Sequence, residues 1–312
     1  MDQIATTILA SGKSAVELAL FVLLPIMIVM LSLMRWMESN GWLNRIVTLT
    51  APLLKPFGLT GLGVFALIQV MMVSFAAPLA TLAVMARTGS APRHIAATLA
   101  MVLALAQANV VFPMAAAGLN IPVTLLIALG GGLLAAAATY YVFGRHLSLV
   151  ELNNDQELMP ETEPPRGMMA EIRRAGSDAW EIAIGALPLL VVALVAVNLV
   201  RLTGVIELLE AALAPAFLTL GYPPETLLLA ITKYVAGGTA MMGIAMDQFA
   251  NGLIGPQQIN LLAGLLLCPL DVAGVAILLS AGKPVAAVAK PAIYGALVGV
   301  AFRVVCHGLL YL

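Results

Sequence analysis

Charged residues are scarce. They make up 10% of 312 residues while hydrophobic ones reach 62%, against about 25% charged in a typical soluble domain. A large soluble domain is thereby excluded, and the chemistry must lie in or beside a lipid bilayer. The net charge of -1 argues against a nucleic-acid partner, because neutralising phosphates takes a clear basic excess. Cys268 and Cys306 are too few for a disulfide framework and read as small core residues. His94, His146 and His307 are far apart in sequence, so no metal site is expected. No nucleophile pairs with a base, so an enzyme is not expected, nor is an organic cofactor. The N-terminus lacks a basic n-region and cleavage site, and the first helix is read as retained.

What is present is a succession of apolar runs of about 20 or more residues, each able to cross a hydrocarbon core of about 30 Å. The first runs from Ser14 to Met37. Gly41 to Gly58 is amphipathic, carries Arg45, Lys55, Pro52 and Pro56, and suits an interfacial helix. A long segment from Leu62 to Arg87 follows, then spans at 92–118 and 121–144. The tract 145–177 is acidic and proline-rich, which reads as a solvated linker. The order then returns: a span at 179–202, an amphipathic piece from Gly204 to Gly221, and long segments at 224–250, 256–281 and 284–311. Shifting the chain by 163 residues pairs Gly41 with Gly204, Pro52 with Pro215 and Gly58 with Gly221. A shift of 164 pairs Pro92 with Pro256 and Gln107 with Asp271. The expected domains are a first membrane repeat (1–144), a polar cytoplasmic linker (145–177) and a second membrane repeat (178–312).

The segment 224–250 contains TKYVAGGTAMMG, with a lysine, a tyrosine and a glycine pair inside an apolar run. Gly237, Gly238 and Thr239 fall opposite Ser74, Phe75 and Ala76, two residues before Pro78. Glycine pairs and proline interrupt the helical ladder, and broken backbone is tolerated at membrane depth only inside protein or beside a wet cavity. Interruptions at matching places in two halves point to a midplane binding site. If the two broken segments are re-entrant hairpins, Arg35, Arg45, Lys55, Arg87, Arg93, Arg145, Arg166, Arg173, Arg174 and Lys283 fall on one face, opposite Lys13, Arg201 and Arg303. That obeys the positive-inside rule far better than full crossing does. The expected fold is therefore an all-α integral membrane protein of two inverted-topology repeats, each with an interfacial helix, a re-entrant or broken helix hairpin and three spanning helices. Both termini lie outside, and the expected location is a bacterial cytoplasmic (inner) membrane.

An amphipathic helix, an interrupted segment reading ITKYVAGGTAMMGIAMD and a polar residue on the following helix together resemble the nucleoside recognition (Gate) domain family. That family includes spore maturation membrane proteins and modules of ferrous-iron transporter B proteins, and is similar to the core repeats of concentrative nucleoside transporters. The resemblance implies inverted repeats with re-entrant elements. Lys233 to Thr239 is similar to the family's basic residue and small-residue turn, whereas the first half has Val70 in place of the lysine. No GTP-binding domain accompanies it.

Burying a charge at the bilayer centre costs roughly 2.5 to 3.5 kcal/mol on insertion scales, which singles out Lys233 and Asp271. One reading makes Lys233 and the N–H groups at the second half-helix, from Gly238 on, a receptor for an anionic or polar solute. The other makes Lys233 and Asp271 an inert ion pair. Asp271 alternatively binds Na+ or exchanges H+ as coupling ion, with Thr239 and Asn109 as further oxygens. Tyr234 adjoins Lys233. Gln107 and Asn109 occupy the corresponding depth in the first half and, on a regular helix, point in different directions. Gln69 and Ser74 precede the first break, as ligands or as packing glue. The candidate solute-binding set is thus Lys233, Tyr234, Gly237, Gly238, Thr239, Gln69, Ser74, Gln107, Asn109 and Asp271. The run Gly130 to Thr139 reads as a surface for close helix packing. The functional expectation is a secondary transporter for a small polar or anionic solute, with nucleoside among the open choices; homo-oligomers are compatible with it. The alternative is a non-transporting membrane scaffold or sensor.

Overall fold

The computed structural model describes residues 2–150, 167–201 and 226–312, together with 212, 215, 217, 222 and 223. The expected amphipathic piece from Gly204 to Gly221 lies largely outside the described residues. The described elements are helical throughout, as an apolar chain in lipid requires, since only helices or closed barrels satisfy their own backbone there.

The first helical run joins α1 (Asp2–Glu17), a π-helical turn (Leu18–Leu23) and α2 (Leu24–Ser39), and so begins well before Ser14. Gly41, at φ +69°, ends it and starts the amphipathic α3 (Trp42–Leu54). A 3-10 turn at Lys55–Phe57 follows, and the chain bends by 104° into α4 (Gly61–Met72). Thr60 caps α4 through its hydroxyl. Helix α5 (Pro78–Arg87) begins after a break at 73–77, where the sequence places it. The Thr81 hydroxyl donates to the Gln69 side-chain oxygen at 2.8 Å. Twelve residues of continuous helix would separate them by about 18 Å, so the two arms fold back as a hairpin.

Helix α6 (Pro92–Ala104) is separated by Leu105–Gln107 from α7 (Ala108–Met114). Then come α8 (Ile121–Ala138) with a π turn to Phe143, and α9 (Met168–Arg201). The second hairpin is α10 (Leu227–Ala236) and α11 (Gly238–Ala250), packed together and hinged at Gly237. Helices α12 (Pro256–Leu266), α13 (Val272–Leu279), α14 (Lys283–Ala287) and α15 (Ala289–Tyr311) complete the chain.

Two features correct the sequence reading. The segments 92–118 and 256–281, expected as continuous spans, are both unwound midway. Only Pro269 marks the second interruption locally; at Leu105–Gln107 the cause is tertiary, because the two unwound stretches lie against each other. In addition, α9 starts at Met168, inside the tract expected to be solvated. Its first turns are held by Arg35, which pairs with Glu171 and Asp178, and by the fully buried Ala175, Ala179 and Ala183 packed beside α2.

Helix α6 is the centre of the core: Ile95 to Ala106 is almost wholly buried. Beside it α8 and α15 cross closely through small residues, Gly131 against Gly299 and Thr139 against Gly295, as the Gly130 to Thr139 run leads one to expect. A Cβ at Gly131 would stand 2.6 Å from Arg303 Cγ and 2.8 Å from the Gly299 carbonyl. Gly131→Val is therefore expected to lower stability by about 1–3 kcal/mol, the usual result of overpacking. Gly12→Ala, with nothing within 4 Å, should leave it unchanged or higher. Thermal unfolding of the purified variants in one detergent checks both.

Candidate functional site

The two unwound stretches define the site. The Gln107 backbone N–H donates to the Leu267 carbonyl at 3.0 Å, so broken backbone from one half completes that of the other. Carbonyls at the ends of α6 and α12 are filled by one side chain. Arg303 of α15, fully buried, donates to the Ala104 carbonyl at 2.6 Å and to the Ala263 carbonyl at 3.0 Å. Its charge sits at two helix C-termini, where the dipole favours a cation.

Each break ends in a polar cap. Asp271 caps α13, its Oδ1 accepting the Gly274 N–H at 2.7 Å. Its Oδ2 receives the ammonium of Lys233, which is fully buried on α10. Gln107 occupies the equivalent cap of α7 in non-helical backbone. This corrects the regular-helix geometry assumed for Gln107 and Asn109: one lies before the helix, the other inside it.

The glycine pair lies between these caps. Gly237 has φ +90°, a conformation that suits glycine. A Cβ placed on it would be 3.7 Å from Asp271 Oδ1, and one on Gly238 would collide with the Gln107 carboxamide. Gly238, Thr239 and Ala240 open α11, where first-turn N–H groups lack helical acceptors. Thus Lys233, Gly237, Gly238, Gln107 and Asp271 converge. Tyr234 is adjacent, its ring centroid 5.7 Å from the ammonium, and Thr239 is half-buried in the first turn of α11. Asn109 is buried two residues beyond Gln107. Gln69 and Ser74 belong to the first hairpin. Gln69 is engaged by Thr81 across its arms, and Ser74 is buried at the bend.

Gln107 Oε1, Asn109 Oδ1 and Thr232 Oγ1 are buried without a hydrogen-bond partner among the described residues. Orphaned buried acceptors are costly in a low-dielectric interior, and these stand on both sides of the break. The site combines a neutralised ion pair, unpartnered oxygens and free helix N–H groups, an arrangement that can take up a ligand rich in donors and acceptors. Arg303 escaped the sequence reading, which counted it with surface charges; its position within a long apolar run was the available signal.

Fold and site together define an all-helical integral membrane protein with a buried polar centre between broken helices. No protein-family model matches the chain. Its fold is that of the concentrative nucleoside transporter CNTnw. An inward-facing, substrate-bound structure of that protein aligns with a TM-score of 0.68 and 14% identity over 99% of this chain and 83% of the other. An outward-facing variant aligns with a TM-score of 0.69 and 16% identity over 99% and 84%. Spore maturation protein B of Bacillus subtilis (strain 168) is 36% identical over 75 residues, 24% of this chain and 42% of that relative. The resemblance drawn from the residues therefore holds for both groups of proteins. The aligned part is less than half of the Bacillus protein.

Removing one partner of a buried ion pair typically costs 3–5 kcal/mol, because the other charge is stranded. Asp271→Asn should therefore destabilise the protein strongly, and the double variant Lys233→Met/Asp271→Asn, which keeps an acceptor at the cap, should recover most of the loss. Thermal unfolding of the three proteins tests this; equal stability of single variant and parent would mean the pair does not form.

Proposed function

We propose that the chain is a secondary transporter that carries a small polar solute through a midplane site between its two broken hairpins. The observation that carries this reading is the convergence of Lys233, Asp271, Gln107 and the Gly237–Gly238 break from both halves, with buried oxygens left unpartnered. A solute bearing hydroxyl or amide donors would satisfy these atoms. The solute class we favour is neutral and donor-rich, nucleoside-like in its hydroxyls and ring nitrogens, because Asp271 already cancels the Lys233 charge.

In this reading the two hairpins approach from opposite sides and alternate in opening, while the crossing fixed by Arg303 stays in place. The positive charges orient the linker toward the cytoplasm of a bacterial inner membrane. Na+ or H+ is the coupling ion. Asn109, Gln107 and Thr232 supply neutral oxygens of the kind Na+ accepts, and Asp271 is the carboxylate through which the coupling ion would bind.

The test is a thermal-shift screen of purified protein against nucleosides, other neutral solutes and organic acids, with and without sodium and at two pH values, followed by uptake into proteoliposomes. Ligand at 100 times its dissociation constant should contribute about 2.7 kcal/mol of stabilisation. Gln107→Ala and Asn109→Ala are expected to weaken the responding solute at least about tenfold, equivalent to roughly 1.4 kcal/mol, without loss of folding. No response across the panel, with both variants indistinguishable from the parent in uptake, would favour the scaffold or sensor reading instead.

A further inference from the structure

The bend between α3 and α4 opens a groove of about 740 Å³, away from the site described above. Its polar lining is Asn44, Thr48, Lys55, Thr60 and His94. Val47 and Leu59 form a buried apolar floor. An amphiphilic groove at this place has a definite environment. The outward side of α3 carries Trp42, Leu49 and Leu53, exposed by 50%, 74% and 69%, so this face of the helix rests in lipid. Aromatic pairs mark the same level: Trp36 with Trp42, and Tyr140 with Tyr141, whose hydroxyl donates to the Pro56 carbonyl at 2.7 Å. Such residues collect where acyl chains meet headgroups.

Charge then selects the occupant. Between Glu38 and Glu151 the sequence contains no acidic residue, whereas Arg45, Lys55, Arg87, Arg93 and Arg145 all fall there. No salt bridge to any of these cations occurs among the described residues. Arg93 stands next to His94, its guanidinium 4.4 Å from the Tyr140 ring centroid. The start of α4, capped by Thr60, adds the positive end of a helix to the groove. The second half lacks this chemistry: under the 163-residue shift Asn44 corresponds to Glu207, Val47 to Glu210 and Lys55 to Leu218. A basic groove of this kind, on the face to which the charge count assigns the most cations, matches the anionic leaflet of a bilayer.

We propose that this groove binds an anionic phospholipid of the cytoplasmic leaflet, its phosphate against Lys55 and the polar side chains and its acyl chains along Val47 and Leu59. The lipid would occupy the elbow from which the first hairpin springs, so leaflet composition would bear on the movement of that hairpin. The binding of the lipid is independent of the transport reading; its effect on the hairpin rests on that reading.

The test uses full-length protein stripped of lipid in a neutral detergent. Thermal unfolding and native mass spectrometry are recorded with phosphatidylglycerol, with phosphatidylcholine of the same acyl chains, and with glycerol phosphate. Phosphatidylglycerol is expected to raise the melting temperature and stay bound as a one-to-one adduct, while the other two do neither. Lys55→Gln should weaken phosphatidylglycerol binding about fivefold, the usual effect of one basic side chain at an anionic surface. Lys13→Gln, on the opposite face, should bind as the parent does. Equal response to phosphatidylcholine would overturn the headgroup assignment, and equal response to glycerol phosphate would overturn the lipid. Equal affinity of the two variants would place the lipid elsewhere.

Discussion

At membrane depth every peptide N–H and C=O needs a partner from the protein itself, and the architecture follows from how that demand is met where helices stop. Water is absent there, so an unwound stretch is stable only if neighbouring groups complete it. Here two stretches complete each other. Gln107 gives its N–H to Leu267, Asp271 takes the first-turn N–H of Gly274, and Arg303 fills the carbonyl ends of both preceding helices. The small residues of α8 and α15 are needed for the same reason: Gly131 leaves room for the Arg303 side chain, and Gly299 lets the two helices approach.

The polar centre follows from this arrangement. A buried cation is expensive alone, yet Lys233 and Asp271 neutralise one another, and the aspartate is already held in place by a backbone N–H. What the pair does not absorb is the set of amide and hydroxyl oxygens of Gln107, Asn109 and Thr232. Gln107 lies against Gly238, next to the ion pair, and its carboxamide oxygen is among the buried atoms without a partner in the described residues.

The breaks at 73–77 and 237 were legible because glycine and proline act locally, through backbone freedom and lost donors. The break at Leu105–Gln107 was not, since Leu, Ala and Gln carry no such mark and the unwinding exists only opposite Leu267. Asp271 and Lys233 announced themselves as charges inside apolar runs. Arg303 did so equally, but its burial depends on two helix ends converging from elsewhere in the chain. The early start of α9 was hidden for a similar reason: its residues look solvated until Arg35 is placed beside Glu171 and Asp178. The bond from Thr81 to Gln69 was likewise not legible, because it joins the two arms across the hairpin.

The bond from Arg303 to Ala104 joins residues 199 positions apart. A ribosome adding roughly 5–20 residues per second needs on the order of 10–40 s to bridge that interval. During that time the first half lacks both Leu267 and the arginine that complete its broken helix. Biogenesis therefore has to shelter this half-finished segment, at the insertion machinery or in a provisional straight helix, until the last span arrives to lock the crossing.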